Sequence, residues 1–178
     1  MKELSLHILD ITQNSIYAGA KAISIGVVED SLADQLIITI GDDGKGMSQE
    51  VLKRVIDPYT TSRTTRRVGM GLPLLNDACK STGGKLQINS AEGAGTTVEA
   101  VLGLSHIDRQ PLGDIVGVIV MLISANPNIK FEYTHVKNGN QFSLNTDEVN
   151  EALEGIPINN PEVGKMLKEM ISLNLDEL

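Results

Sequence analysis

Leu4, Ile8 and Ile11 recur at helical spacing, with Ser15 continuing the row, which predicts an amphipathic helix over residues 3–18 ended by Gly19. The period then shortens to two. Ile23, Ile25 and Val27 alternate with Ser24 and Gly26 as a strand, and after the polar stretch 29–35 the run Leu36 to Ile40 returns as a second. Ser48 suits the N-cap of a short helix, Gln49 to Ile56, stopped before Pro58. Residues 58–68 carry no apolar period and read as a mobile loop. A helix from about Gly71 to Ser81 closes on Gly83-Gly84. Lys85 to Ser90 and Thr96 to Leu104 then form a hairpin around a glycine-rich turn.

Past Ser105 to Pro111, which reads as a linker, Leu112 to Ser124 is apolar enough for a buried helix. Ile129 to His135 and Gln141 to Leu144 flank Asn138-Gly139, a strong hairpin signal. Thr146 is expected to cap a short helix, and Pro161 to begin a last one. The pattern divides the chain into a domain over residues 1–104 and a small α/β C-terminal extension over 105–178.

Composition narrows the class. A chain of 178 residues, 41% hydrophobic and 21% charged, reads as soluble and globular. A net charge of −8 argues against nucleic acid, since phosphate backbones need a positive field. No stretch approaches the ~20 apolar residues that span a bilayer, so no membrane association and a cytoplasmic location are expected. Lone Cys79, among Leu74, Leu75 and Ala78, reads as a buried core thiol.

Four short motifs carry chemistry. Asp10 and Asn14 lie one turn apart on the first helix, so they share a face. An amide oxygen suits Mg²⁺, and a carboxylate beside it can orient water or accept a proton. A solvated polar stripe is the alternative. Asp42 ends a strand, where a carboxylate needs a donor such as the exocyclic amine of adenine. Gly44 and Gly46, before Met47, would let the backbone approach a flat ring that a Cβ would obstruct. Gly69-Met70-Gly71-Leu72 opens a helix whose N–H groups and dipole favour phosphate. Arg63, Arg66 and Arg67 just before it are lid candidates, able to close over a polyphosphate, or else a solvated basic loop. Gly93, Gly95, Thr96 and Thr97 form the last motif.

In this order the motifs resemble those of the GHKL superfamily of gyrase-type topoisomerases, heat-shock chaperone ATPases, histidine kinases and mismatch-repair ATPases. Asp10 to Asn14 resembles the N box, and "QNSIYAGAKAISIGV" is similar to that of mismatch-repair ATPases. Asp42, Gly44 and Gly46 match the G1 box, Gly69 and Gly71 the G2 box, and Gly93, Gly95 and Thr96 the G3 region. "DPYTTSR" at 57–63 resembles the segment before the histidine-kinase lid. The resemblance, over about residues 1–104, implies an α+β two-layer sandwich, the Bergerat fold, with helices over a mixed, largely antiparallel sheet. It implies ATP and Mg²⁺ as cofactors. Asn14 would ligate the metal, Asp42 would hold adenine, the Gly69–Gly71 turn would carry phosphates, and Thr96 or Thr97 would lie near the adenine.

Two departures shape the functional expectation. Hydrolytic members of the superfamily carry glutamate where this chain has Asp10, whose carboxylate sits roughly 1.5 Å farther back. Misplacement by ~1 Å can cost on the order of a hundredfold in rate. The second departure is that His7, His106 and His135 all lack a phosphoacceptor context. The expected function is an ATP·Mg-binding, histidine kinase-like protein acting as a kinase or nucleotide-dependent regulator on a partner protein, in signal transduction. A slow ATPase with Asp10 as base, and a non-catalytic ATP sensor, are the rivals. Residues 105–178 are compatible with a docking surface or a homodimer element.

Overall fold

The computed structural model describes residues 2–56 and 71–178. Its elements in order are α1 (Leu4–Tyr17), β1 (Ala22–Asp30), β2 (Gln35–Asp42), α2 (Gln49–Ile56), α3 (Gly71–Ser81), β3 (Lys85–Ser90) and β4 (Thr96–Gly103). There follow α4 (Ile115–Ala125), β5 (Lys130–Lys137), β6 (Asn140–Asn145), α5 (Thr146–Ala152) and α6 (Pro161–Asp176). The fold is α+β, with helices on one face of a single mixed sheet ordered β3-β4-β2-β1-β5-β6. Four of its pairings are antiparallel; β1 and β5 run parallel.

Alternation decides which face of the sheet is covered. Ile23, Ile25 and Val27 of β1, Leu36, Ile38 and Ile40 of β2, and Val98, Ala100 and Leu102 of β4 point into one core. That core includes Leu4, Ile8 and Ile11 of α1 and Leu72, Leu75 and Cys79 of α3. The opposite face carries Ser24, Thr39 and Thr97 and is left open. Residues 105–178 add β5 and β6 to this sheet, with Phe131 and Tyr133 buried in the same cluster as Ile119, Leu122 and Ile171.

The helix ends follow local chemistry. Thr82 and Gly83 end α3 in a Schellman turn, with Gly84 N–H bonded to Cys79 O at 2.9 Å and Gly83 at φ +74°. Asn138 and Gly139, at φ 50° and 89°, form the tight turn that their sequence announces. The short helix α5 differs from expectation. Asn145 is its N-cap, accepting from Asp147 N–H, while Thr146 is buried and its Oγ1 accepts from Phe131 N–H at 2.9 Å. Burial pushes the Cys79 thiol up to about 11, which suits a core residue. Among the described residues no helix is long and apolar enough to cross a membrane.

Candidate functional site

Helix α1, the end of β2, the loop after it and the start of β4 enclose a cavity of about 1130 Å³ at one end of the sheet. Ile11, Ile40, Met47, Leu72 and Val98 give it an apolar lining, and Asp10, Asn14, Ser15, Asp42 and Thr96 supply polar atoms. An apolar slot with a few fixed polar groups is the ordinary construction of a small-molecule site.

Asp42 is fixed from two sides. Ser15 Oγ donates to its Oδ2 at 2.6 Å, and Gly44 N–H donates to its Oδ1 at 2.9 Å. A carboxylate has about four lone-pair sites, so these two bonds leave acceptor capacity for a ligand. Its neighbour Asp43 does different work. Asp43 Oδ1 accepts from Lys21 N–H at 2.7 Å and Ala22 N–H at 3.0 Å, tying the end of β2 to the start of β1. Those amide donors hold its carboxyl below the usual aspartate range.

Asp10 and Asn14 both line the cavity. Asp10 Oδ2 and Asn14 Nδ2 are buried and find no hydrogen-bond partner among the described residues. Buried polar atoms are nearly always paired, so two orphans one turn apart mark a wall that a ligand would complete. The donor set fits Mg²⁺: one amide oxygen from Asn14, beside a carboxylate able to orient a metal-bound water. Among the described residues no group of three His, Cys, Asp or Glu could hold a metal. Mg²⁺ characteristically takes few protein ligands and keeps most of its waters.

The glycines have neighbours that their sequence did not disclose. A Cβ on Gly46, at φ +66°, would strike the Ala91 carbonyl, and one on Gly44 would meet Ala18 Cβ and Asp42 Oδ1 at 3.0 Å. Packing within the protein by itself leaves no room for a Cβ at Gly46 and little at Gly44. A Cβ on Gly71 would fall on the Asp10 carboxylate, so the start of α3 and the wall of α1 touch at that point. Gly95, at φ +80°, lies against the Asp42 carbonyl, and Gly93 sits in the exposed turn.

The two threonines separate. Thr96 lines the cavity, its Oγ1 2.8 Å from Ser90 Oγ. Thr97 is exposed on the open face near Gly41, because successive strand residues point to opposite sides. Of the two, Thr96 is the one that lines this cavity. Gly69, Met70, Arg63, Arg66 and Arg67 lie outside the described residues, as does the 58–68 loop.

Sequence reasoning missed two anchors. Ser15 follows Asn14 and was visible only as part of the helix face. Ser90 accepts from Met47 N–H at 2.8 Å and donates to Gly95 O at 3.0 Å, binding the loop to the hairpin. Its phase with Leu86 and Ile88 on β3 was the available signal. Lys45 and Glu92 also reach the cavity.

The three histidines occupy distinct settings. His106 is exposed, 4.0 Å from Asp108. His135 is buried between Tyr133 Oη and Glu29 Oε1, each at 2.8 Å. His7 is buried with Nε2 3.0 Å from Gln110 Oε1, and burial lowers its pKa from the ordinary 6.5.

Sporulation kinase C of Bacillus subtilis is 31% identical over 96 residues, 54% of this chain and 22% of its own length. Sensor histidine kinase ZraS of Salmonella typhimurium is 32% identical over 89 residues, 49% of this chain and 19% of its own. The non-motile and phage-resistance protein of Caulobacter vibrioides is 30% identical over 118 residues, 61% of this chain and 14% of its own. The chain thus spans less than a quarter of these relatives. Among solved structures, the Aquifex aeolicus MutL ATPase domain complexed with ADP superposes with a TM-score of 0.52 at 15% identity, covering 86% of this chain and 70% of that one. The N-terminal domain of a DNA repair protein gives 0.57 at 19%, covering 82% and 53%. These two establish the fold. The profile of the histidine kinase-, DNA gyrase B- and HSP90-like ATPases matches residues 2–106, and the chain belongs to that family.

Proposed function

We propose that this histidine kinase-like ATP-binding module binds ATP with Mg²⁺ and acts on a partner protein, as a kinase or as a nucleotide-dependent regulator. The observation that carries the reading is Asp42. It is held by Ser15 and Gly44 at the edge of an apolar slot, with lone pairs left for an adenine amine. Asn14 would ligate Mg²⁺ through its side-chain oxygen. The metal supplies charge neutralisation of the phosphates when bound. The residues' own contributions are to orient the base, exclude water from the apolar slot and accept a proton at Asp10.

The unpartnered Oδ2 of Asp10 supports a second reading, slow hydrolysis with Asp10 as general base. A single experiment separates the two. Purified protein is given labelled ATP alone and then with proteins from its native cell that co-purify with it. Transfer of label to one of them supports the kinase reading, and phosphate release from the purified chain alone supports the ATPase. Binding with neither leaves the regulator. Absence of ATP binding rules out all three.

A further inference from the structure

Strand β6 is one margin of the sheet, paired only with β5. The register says which of its backbone groups that pairing uses. Lys137 and Asn140 close the two-residue turn Asn138-Gly139, and the pair closing such a turn exchanges both hydrogen bonds. At the far end Phe131 N–H bonds to Thr146 Oγ1 at 2.9 Å, which keeps the same phase. Asn140, Phe142 and Leu144 therefore turn their N–H and C=O groups toward β5. Those of Gln141, Ser143 and Asn145 point outward, and among the described residues no backbone hydrogen bond reaches them. Sheet margins are ordinarily defended by charge, proline or a bulge. From Asn138 to Asn145 this one carries no charged residue and no proline, in a chain of net charge −8.

Helix α6 lies at the same side of the molecule. The helix layer runs α3, α1, α4, α6 by its contacts, with α3 against β3 and β4, so it ends at α6 as the sheet ends at β6. Val163, Leu167 and Ile171 of α6 are buried, and Gly164 faces α4, its Cβ direction 3.8 Å from Ser124 Oγ and Val120 Cγ1. Helical periodicity then sets Met166, Met170 and Leu173 in one row on the flank turned away from α4, and all three are exposed.

We propose that the chain forms a two-fold homodimer through β6 and this flank of α6, so that two six-stranded sheets continue as one. The margin is complementary to itself. A two-fold axis at Ser143 sets Phe142 opposite Leu144 of the second copy on the core side. On the open side Ser143 meets its own copy and Gln141 meets Asn145, hydroxyl to hydroxyl and amide to amide. These are also the residues whose backbone groups point outward, so the register that matches side chains is the one that completes the hydrogen bonds. The same axis runs α6 antiparallel to its copy, with Met170 near the centre of the row and Met166 toward Leu173. A strongly charged peptide would find no counter-charge along β6, whereas two neutral strands let two acidic chains approach. The proposal is independent of the nucleotide reading, since the cavity is built on α1, β2 and β4.

Sedimentation of the whole chain at rising concentration should give twice the monomer mass in the micromolar range. Ser143→Pro removes one outward N–H per copy and leaves the bonds to β5 in place. Ser143→Lys sets like charges face to face across the axis. Each should raise the dissociation constant by at least about tenfold, the scale of two symmetry-related hydrogen bonds. Met170→Lys should act in the same direction, while Lys85→Glu on the β3 margin should change nothing. Far-UV circular dichroism checks the fold, and if the proline variant fails it, the exposed Ser143→Lys decides. Amide hydrogen exchange should find Gln141, Ser143 and Asn145 protected in the wild type and fast in Ser143→Lys. A wild type that stays monomeric overturns the proposal. A dimer indifferent to substitution at Ser143 or Met170 overturns it as well, and so does a dimer in which those three amides exchange freely.

Discussion

The Asp10 carboxylate occupies the place that a Cβ on residue 71 would take, so the wall of α1 and the first residue of α3 are fitted to each other with no spare volume. Gly71→Ala should therefore destabilise the fold by about 1–3 kcal/mol, the range for overpacking. It should also displace Asp10. Urea unfolding measures the first effect and ATP calorimetry the second. Unchanged values for both would mean that α3 is free to move away from α1.

Asp42→Asn should weaken ATP binding by at least ~1.5 kcal/mol, the scale of a hydrogen bond to a charged group. The wild type should prefer ATP to GTP, because a carboxylate facing the guanine carbonyl gains nothing. Equal affinities in calorimetry would remove the adenine assignment. Ser15→Ala should lower ATP affinity less, since it frees the Asp42 side chain without removing it.

Asn14→Ala should abolish the Mg²⁺ dependence of ATP binding while leaving the melting temperature near that of the wild type. The side chain faces the cavity and supports no other described contact that would account for a loss of fold. Titrations with ATP in the presence of Mg²⁺ or of a chelator make the comparison. Retained metal dependence in the variant would dissociate Asn14 from the ion.

Asp10→Asn should remove slow hydrolysis while leaving ATP binding intact, if Asp10 is the base. Asp10→Glu should raise hydrolysis, provided the longer side chain turns into the cavity and not against Gly71. Phosphate release under saturating Mg·ATP reads both. No phosphate stable to base and labile to acid should accumulate on His7, His106 or His135 of the isolated chain.

Stability should fall on mild acidification through His7. Its folded pKa lies below the unfolded 6.5, so the unfolded chain binds the extra proton. The contribution is complete above pH 6.5 and declines as pH falls from there toward the folded value. His7→Gln should flatten that part of the urea-derived profile. Asp43, whose folded pKa is lowered from 3.8, contributes stability above that pH and loses it only below. The two windows are thus separable in one titration.

Local elements were legible because local forces make them. Helices over Gln49–Ile56 and Gly71–Ser81 follow from a cap, a glycine stop and the apolar period. The candidate site was legible where one residue both ends an element and carries charge, as Asp42 does. What escaped depended on contacts distant in sequence. Nothing near Gly46 announces Ala91, and nothing near Lys130 announces that its strand lies parallel to β1. Between Thr96 and Thr97, strand alternation from Val98 already shows which one shares the core side, since Thr97 falls on the open face.

The pairing of Ile23 with Phe131 joins residues more than a hundred positions apart, and it leaves β1 with a neighbour on each side. A chain cut after the family domain would expose the nine-residue β1 as a sheet margin with unpaired N–H and C=O groups. Such margins recruit other chains. Shortened versions of this protein should therefore aggregate or exchange strands even when the nucleotide residues are all present. During synthesis, β1 must likewise wait for the last third of the polypeptide before it is shielded. Long-range parallel pairing of this kind favours slower folding, so refolding of the whole chain should be limited by the insertion of β5 beside β1.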